Sequence, residues 1–359
     1  MTKKKKIITG IALQGGGALG AYEFGALKAL YAYKGEGFTP RVVAGISIGA
    51  INAAVLIGAK KDPIGTLEEI WRERFCVGDT ICEVIDMFRP WCAKPALSCF
   101  DFCEQSMSLF GNPGMYRLNP QLLFSPLNCA NIYDTSLLED TFRKYIDVKK
   151  LNQPDRTRLV VTAVNVRSGE QARFDNLQME LSFKHIMASG SFPVSFPMTD
   201  IDGEYYWDGG IFINTPLAPA INALEQTDAD DPDVERELFY IEVHRRAGEL
   251  PSNIGESLDR CYNMIFSGKF SLDGKLAKNI EALIDFFGLL DKDLPKNSPL
   301  RKHEAYKAMA RHKKIEHVIT VGQDGKGAGG SSSDFSRAAI ARRIENGFND
   351  AMEALYKKG

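Results

Sequence analysis

The chain has 359 residues, 44% hydrophobic and 25% charged. This is an ordinary globular composition, long enough for a sizeable core in one large domain or two. Its formal net charge of -2 gives no reason to expect a nucleic-acid partner. Its cysteines number 7, an odd count in a chain too large to be a disulfide scaffold. They read as mostly reduced, buried thiols of a reducing compartment. Cys99 and Cys103 lack the histidine or second cysteine pair that a zinc site needs, so no metal is expected.

In chain order, Lys3 to Lys6 lead into the apolar run 7–13, which resembles a signal peptide. The run is short, interrupted by Gly10 and β-branched, so it reads as a first core strand over 6–14. The lysines then form a solvated tail or a weak contact for anionic lipid. No cleaved signal peptide is expected. The implied location is the cytoplasm or a peripheral membrane surface, with export lacking a signal left open. Residues 13–20, LQGGGALG, lie between that strand and a helix over 21–33. Such a loop holds negative charge on its N–H groups. Residues 42–59 are free of charge. They read as a buried strand (41–47), a tight turn and a buried helix rather than a membrane span.

Helices are expected at 68–75 and 136–145, and further strands at 158–166, 238–244 and 317–323. The segment 76–131 is rich in Cys, Phe, Met and Pro without a clear period. It is either a cap over a site or a packed excursion. Residues 254–300 read as helical, with Ile280, Leu283, Ile284 and Phe287 on one face, read as packing against the core, with a lipid-binding face as the alternative. Residues 325–333 read as a flexible loop. Asp334 is expected to cap a last helix whose stripe is Ile340, Ile344, Phe348 and Met352. Uninterrupted apolar strands separated by helices predict an α/β fold, with a mostly parallel sheet covered on both faces.

The strongest chemical signal is Gly45-Ile46-Ser47-Ile48-Gly49. It is G-x-S-x-G in a strand–turn–helix setting, which pushes a serine out of the backbone at a helix N-terminus. A serine hydroxyl needs a base. Of the five histidines none sits in a recognisable motif, although His244 and His317 flank strands and could complete a Ser-His-Asp triad. Asp208, ending Tyr205-Tyr206-Trp207-Asp208-Gly209-Gly210, is the second candidate. The spacing Gly15-x-Gly17-x-x-Gly20 matches a dinucleotide fingerprint, but the next strand ends in the serine elbow instead of an acidic residue. Leu19-Gly20-Ala21 supplies no Gly-Lys-Ser/Thr. The loop therefore suits an oxyanion hole built from Gly15, Gly16, Gly17 and Ala18, with Gly16 and Gly17 as the main donors.

These blocks, with Ala188-Ser189-Gly190-Ser191-Phe192-Pro193, stand in the order found in the patatin-like phospholipases, which the chain resembles over about residues 6–245. The resemblance implies a three-layer α/β/α sandwich. It makes Ser47 a nucleophile and Asp208 its base in a dyad without histidine, with Gly20, Gly45, Gly49, Gly209, Gly210, Ser189 and Pro193 as motif support. It implies acyl transfer on lipid carboxylic esters, with no metal or organic cofactor. A carboxylesterase or depolymerase on other esters is the alternative, and a lipid-binding protein without turnover a weaker one. On this reading residues 1–245 are the catalytic domain, with 76–131 as its cap. Residues 246–359 are a mainly helical region, with a strand at 317–323, packed on that domain. Many members of the family carry a basic residue where this chain has Leu19, so a phosphate contact there is missing. Residues 334–355 resemble the C-terminal extension of a bacterial subgroup of the family.

Overall fold

A computed structural model describes residues 5–77, 111–213, 215–245, 247–252, 254–322, 328 and 330–357, with backbone alone at 255, 269–278 and 281. The expectations for Cys82, Cys92, Cys99 and Cys103, and for most of the loop at 325–333, lie outside those residues.

The first strand, β1 (Lys6–Leu13), is buried from Ile8 onward. It is followed by β2 (Val42–Gly45). Three short strands, β3 (Gly111–Asn112), β4 (Tyr116–Leu118) and β5 (Tyr133–Asp134), form a small separate sheet. Then come β6 (Arg158–Asn165), β7 (Gln171–Asp175), β8 (Thr199–Ile201), β9 (Glu204–Asp208), β10 (Val234–Ile241) and β11 (His317–Val321). The main sheet runs β11-β10-β1-β2-β6-β9-β8, with β7 also on β6. From β11 to β6 every pairing is parallel, while β7, β8 and β9 add an antiparallel end.

Period-two alternation divides the core between the two faces of this sheet. Ile11, Leu13, Val43, Phe239 and Ile241 belong to one apolar cluster, with helices α1 (Gly20–Lys34) and α2 (Ile48–Gly58). Ile8, Ala12, Val42, Ala44, Leu238 and Tyr240 belong to the other. On the first face also lie α3 (Pro63–Glu69), α4 (Ser136–Tyr145) and α5 (Phe183–Ser189). On the second, α6 (Leu217–Gln226) places Leu217, Ala220, Ala223 and Leu224 against the strands. The result is the expected α/β/α sandwich. The uncharged run 42–59 is β2, a turn and α2, and among the described residues no helix is long and apolar enough to cross a membrane.

The C-terminal part joins the same body. Strand β11 extends the sheet beside β10, and α8 (Arg337–Tyr356) lies along α1. The two backbones touch through glycine. A Cβ at Gly25 would stand 2.0 Å from the Ile344 carbonyl oxygen, and one at Gly347 would stand 2.0 Å from that of Tyr22. Ser336, not Asp334, caps α8, accepting from the Ala339 N–H at 3.3 Å. Fully buried Arg343 reaches back from α8 to the carbonyls of Asp334 (2.5 Å) and Ser331 (2.8 Å). It thereby pins the segment 331–335. Arg343→Met should strand those carbonyls and cost about 3–5 kcal/mol, read as a lower urea midpoint; an unchanged midpoint would contradict this anchoring role.

A further expectation fails. The face of α7 (Ile254–Asp293) carrying Ile280, Leu283, Ile284 and Phe287 is not in the core. Leu283 is 57% exposed, and Phe287 meets only the Tyr306 ring, at 5.0 Å, among the described ring contacts. Of the three described cysteines Cys76 is buried, Cys129 partly exposed and Cys261 exposed, and none of them forms a disulfide among the described residues.

Candidate active site

The site forms beyond the carboxyl ends of the parallel strands, where open α/β sheets bind ligands. Register aligns its parts: Leu13 at the end of β1 pairs with Gly45 of β2, Gly45 pairs with Val161 of β6, and Ala163, two residues on, pairs with Asp208 at the end of β9. Beyond Gly45 the chain turns sharply into α2. Ser47 sits at that corner with φ 55° and ψ -125°, a left-handed conformation costing on the order of 1–3 kcal/mol for a residue with a side chain. Packing enforces it. A Cβ at Gly45 would meet the Gly49 carbonyl oxygen at 2.6 Å, and one at Gly49 would meet the Leu13 carbonyl oxygen at 2.5 Å.

Asp208 is 1% exposed. Its carboxylate accepts the Gly210 N–H at 2.7 Å and the Ser47 hydroxyl. Burial pushes its pKa up to about 7, the two hydrogen bonds restraining the rise. A base titrating near neutrality is matched to taking a proton from a hydroxyl at physiological pH. The Ala188–Pro193 block touches both residues. The Ser189 hydroxyl accepts the Ser47 N–H at 2.9 Å, and the Ser191 carbonyl accepts the Asp208 N–H at 2.9 Å. Pro193 lies in the turn after α5, between the cavity residue Phe192 and Val194.

The glycine loop faces the serine across a cavity of about 820 Å³, lined by Gly16, Gly17, Ser47, Asp208 and Gly210. Its walls are largely apolar, with Ile51, Met115, Leu138, Phe192, Phe196 and Phe266. Met115 and Tyr116 come from the second half of the 76–131 segment, and Ile132 and Tyr133 follow directly after it, so this part of the chain borders the cavity; residues 78–110 are outside the described part. Among the described residues the N–H groups of Gly16 and Gly17 have no protein acceptor. Ala18 differs from expectation: its N–H donates to the Ser332 carbonyl at 2.7 Å and is not directed into the cavity as a third donor. Gly15 contributes its carbonyl to His244 (2.9 Å). Gly20 starts α1 and packs on Ile48 and Trp71, Gly209 packs on Thr162, and Leu19 is buried in the core.

Neither histidine flanking a strand meets Ser47 or Asp208 through a described bond. His317 pairs with Glu235 at 3.5 Å, at the opposite end of the strands. His244 borders the cavity, but its described bonds are to Gly15 and Asn263. Sequence reasoning missed the segment 331–335, which forms one wall, with Asp334 and Phe335 included. A serine-rich stretch 285 residues from Ser47 carries no local signal of that placement. No group of His, Cys, Asp and Glu able to hold a metal occurs among the described residues.

A family model described as Patatin-like phospholipase matches residues 11–221, more than half of the chain. No curated protein matches. Among solved structures the chain is similar to the crystal structure of VipD from Legionella pneumophila, at 17% identity and a TM-score of 0.44. That match covers 99% of this chain and 67% of VipD. It is also similar to the heterodimeric ExoU–SpcU complex from the type III secretion system of Pseudomonas aeruginosa, at 15% identity and a TM-score of 0.38. There the chain spans 52% of its match, about half that length. The family model takes in the glycine loop, the Ser47 elbow, the 188–193 block and Asp208, and ends before His244, α7 and α8. With these four blocks in order inside the matched span, the chain belongs to the patatin-like phospholipase family.

Proposed function

We propose that the protein is a serine acyl hydrolase of lipid carboxylic esters, working through an acyl-enzyme. Ser47 is the nucleophile and Asp208 its base. Asp208 takes the hydroxyl proton as the Ser47 oxygen attacks the ester carbonyl. The resulting oxyanion lies against the Gly16 and Gly17 N–H groups, each such donor being worth ~3–4 kcal/mol of barrier lowering. The proton held by Asp208 passes to the leaving alcohol. Water, deprotonated by the same carboxylate, then attacks the acyl-enzyme and releases the fatty acid and free Ser47. The observation that carries this reading is one juxtaposition. A serine hydroxyl bonded to a buried carboxylate faces two glycine N–H groups that have no acceptor among the described residues, in an apolar cavity of about 820 Å³. The apolar walls favour an acyl chain over a polar ester. Among the described lining residues there is no Lys or Arg, while Glu256, Asp259 and Asp334 are present. An anionic headgroup is therefore disfavoured relative to a zwitterionic one.

The test is fatty-acid release from phosphatidylcholine and phosphatidylglycerol vesicles, read by mass spectrometry. Wild type should release fatty acid, faster from phosphatidylcholine, and Ser47→Ala should not; equal release by the two proteins would sink the proposal. Because Asp208 must be ionised to act, kcat/KM should rise with pH and level off above about 7. A profile flat from pH 5 to 9 would contradict Asp208 as base.

A further inference from the structure

The glycine loop is held by its carbonyl ends. A peptide unit is planar and trans, so its C=O and N–H point in opposite directions. Fixing the Gly16 carbonyl therefore aims the Gly17 N–H, and fixing the Gly15 carbonyl aims the Gly16 N–H. The first is fixed locally, by the Leu19 N–H at 3.1 Å. The second is fixed from 229 residues away, by His244 Nε2 at 2.9 Å.

His244 follows β10, is 3% exposed and borders the cavity. Its ring lies on that of Phe266, centroids 4.9 Å apart, and its Nδ1 is 3.0 Å from Asn263 Oδ1 on α7. Asn263 Nδ2 donates to the Asp259 carbonyl at 2.9 Å. That bond fixes the amide, so an oxygen faces the ring. Nothing in the mechanism above uses this imidazole.

We infer that His244 is a positioning residue for acyl transfer: its Nε2–H grips the Gly15 carbonyl and so aims the Gly16 N–H at the oxyanion, while Asn263 and Phe266 set the ring. The inference rests on Ser47 being the nucleophile. The Gly15 carbonyl and Asn263 Oδ1 both accept, so the two bonds form together only when both ring nitrogens carry a proton, and the role inferred here needs the one on Nε2. The ring is not a base here, because the bonds of both nitrogens lead away from Ser47 and Asp208. The arrangement also ties the oxyanion donors to α7, which lies beyond the span matched by the family model.

The test is steady-state hydrolysis of p-nitrophenyl butyrate by wild type, Ser47→Ala, His244→Phe and His244→Gln, with thermal melts of each. Phe keeps the ring contact with Phe266 and loses the donor. Deleting an oxyanion donor outright costs ~10²–10³ in kcat. Misaiming one by His244→Phe should lower kcat roughly 10- to 100-fold with KM within about 2-fold. His244→Gln, whose amide N–H can reach the Gly15 carbonyl, should recover much of the loss. Asn263→Leu should shift kcat in the same direction by less, and it serves if His244→Phe does not fold. A folded His244→Phe with wild-type kcat would overturn the inference while Ser47-dependent turnover still stands. Phe and Gln variants equally impaired would overturn it as well, pointing to a role other than donation to Gly15. Wild type without Ser47-dependent turnover would overturn the parent reading and this inference with it.

Discussion

Asp208→Asn should sharply reduce turnover and make the protein more stable. Asparagine keeps an oxygen for the Gly210 N–H and for the Ser47 hydroxyl but cannot take a proton. The loss of a general base is expected to cut kcat by ~10²–10⁴. The stability gain follows from linkage. The folded pKa of Asp208 is raised from 3.8 to about 7. Between those values the folded state holds a proton that the unfolded chain releases. Stability from this group is thus intact below about pH 4, declines as pH rises toward 7 and stays at its reduced level above that. Each unit is worth about 1.4 kcal/mol, so the full penalty approaches ~4 kcal/mol, and removing the charge should return about 1–3 kcal/mol at pH 8. Urea melts at pH 5 and pH 8 check this: the gain of Asp208→Asn over wild type should be larger at pH 8. A variant less stable than wild type at pH 8 would show that the carboxylate is not held at a cost.

Gly49→Ala should be among the most damaging single-methyl changes near the site. The added Cβ would lie 2.5 Å from the Leu13 carbonyl oxygen and 2.7 Å from that of Gln14. Both are backbone atoms, where β1 gives way to the glycine loop. They cannot retreat without parting α2 from β1, a strain of about 3 kcal/mol or more. The same shift would move Ser47 relative to Gly16 and Gly17. A displacement near 1 Å costs ~10² in rate. Gly190→Ala is the internal contrast. It lies on the same cavity, but its nearest atom would be 3.7 Å from the new Cβ. Urea midpoints and kcat should fall sharply for Gly49→Ala and little for Gly190→Ala. Similar values for the two would mean that the elbow is not set by this contact.

What was legible in the sequence was local. The first strand, the elbow, the glycine loop and the helix Ser136–Tyr145 each carry a pattern in a single window, and the structure has them there. Strand β10 begins at Val234, earlier than its apolar run suggests, because Glu235, Arg236 and Glu237 stand in it. Arg236 is buried there by bonding the carbonyls of Leu224, Thr227 and Asp228. A charge satisfied by distant carbonyls reads locally as a loop. The apolar face of α7 misled for the opposite reason: periodicity marks a face, not what covers it. Ser189 on the Ser47 N–H, Ser332 on Ala18 and His244 on Gly15 join residues 142, 314 and 229 positions apart. No window of sequence holds both members of such a pair.

The most direct test of the central claim is reaction with a fluorescent fluorophosphonate, followed by intact mass. Wild type should gain one adduct, mapped to Ser47 by peptide sequencing. The adduct should be absent in Ser47→Ala and strongly slowed in Asp208→Asn. An adduct on another residue, or Asp208→Asn labelled as fast as wild type, would contradict Ser47 activated by Asp208.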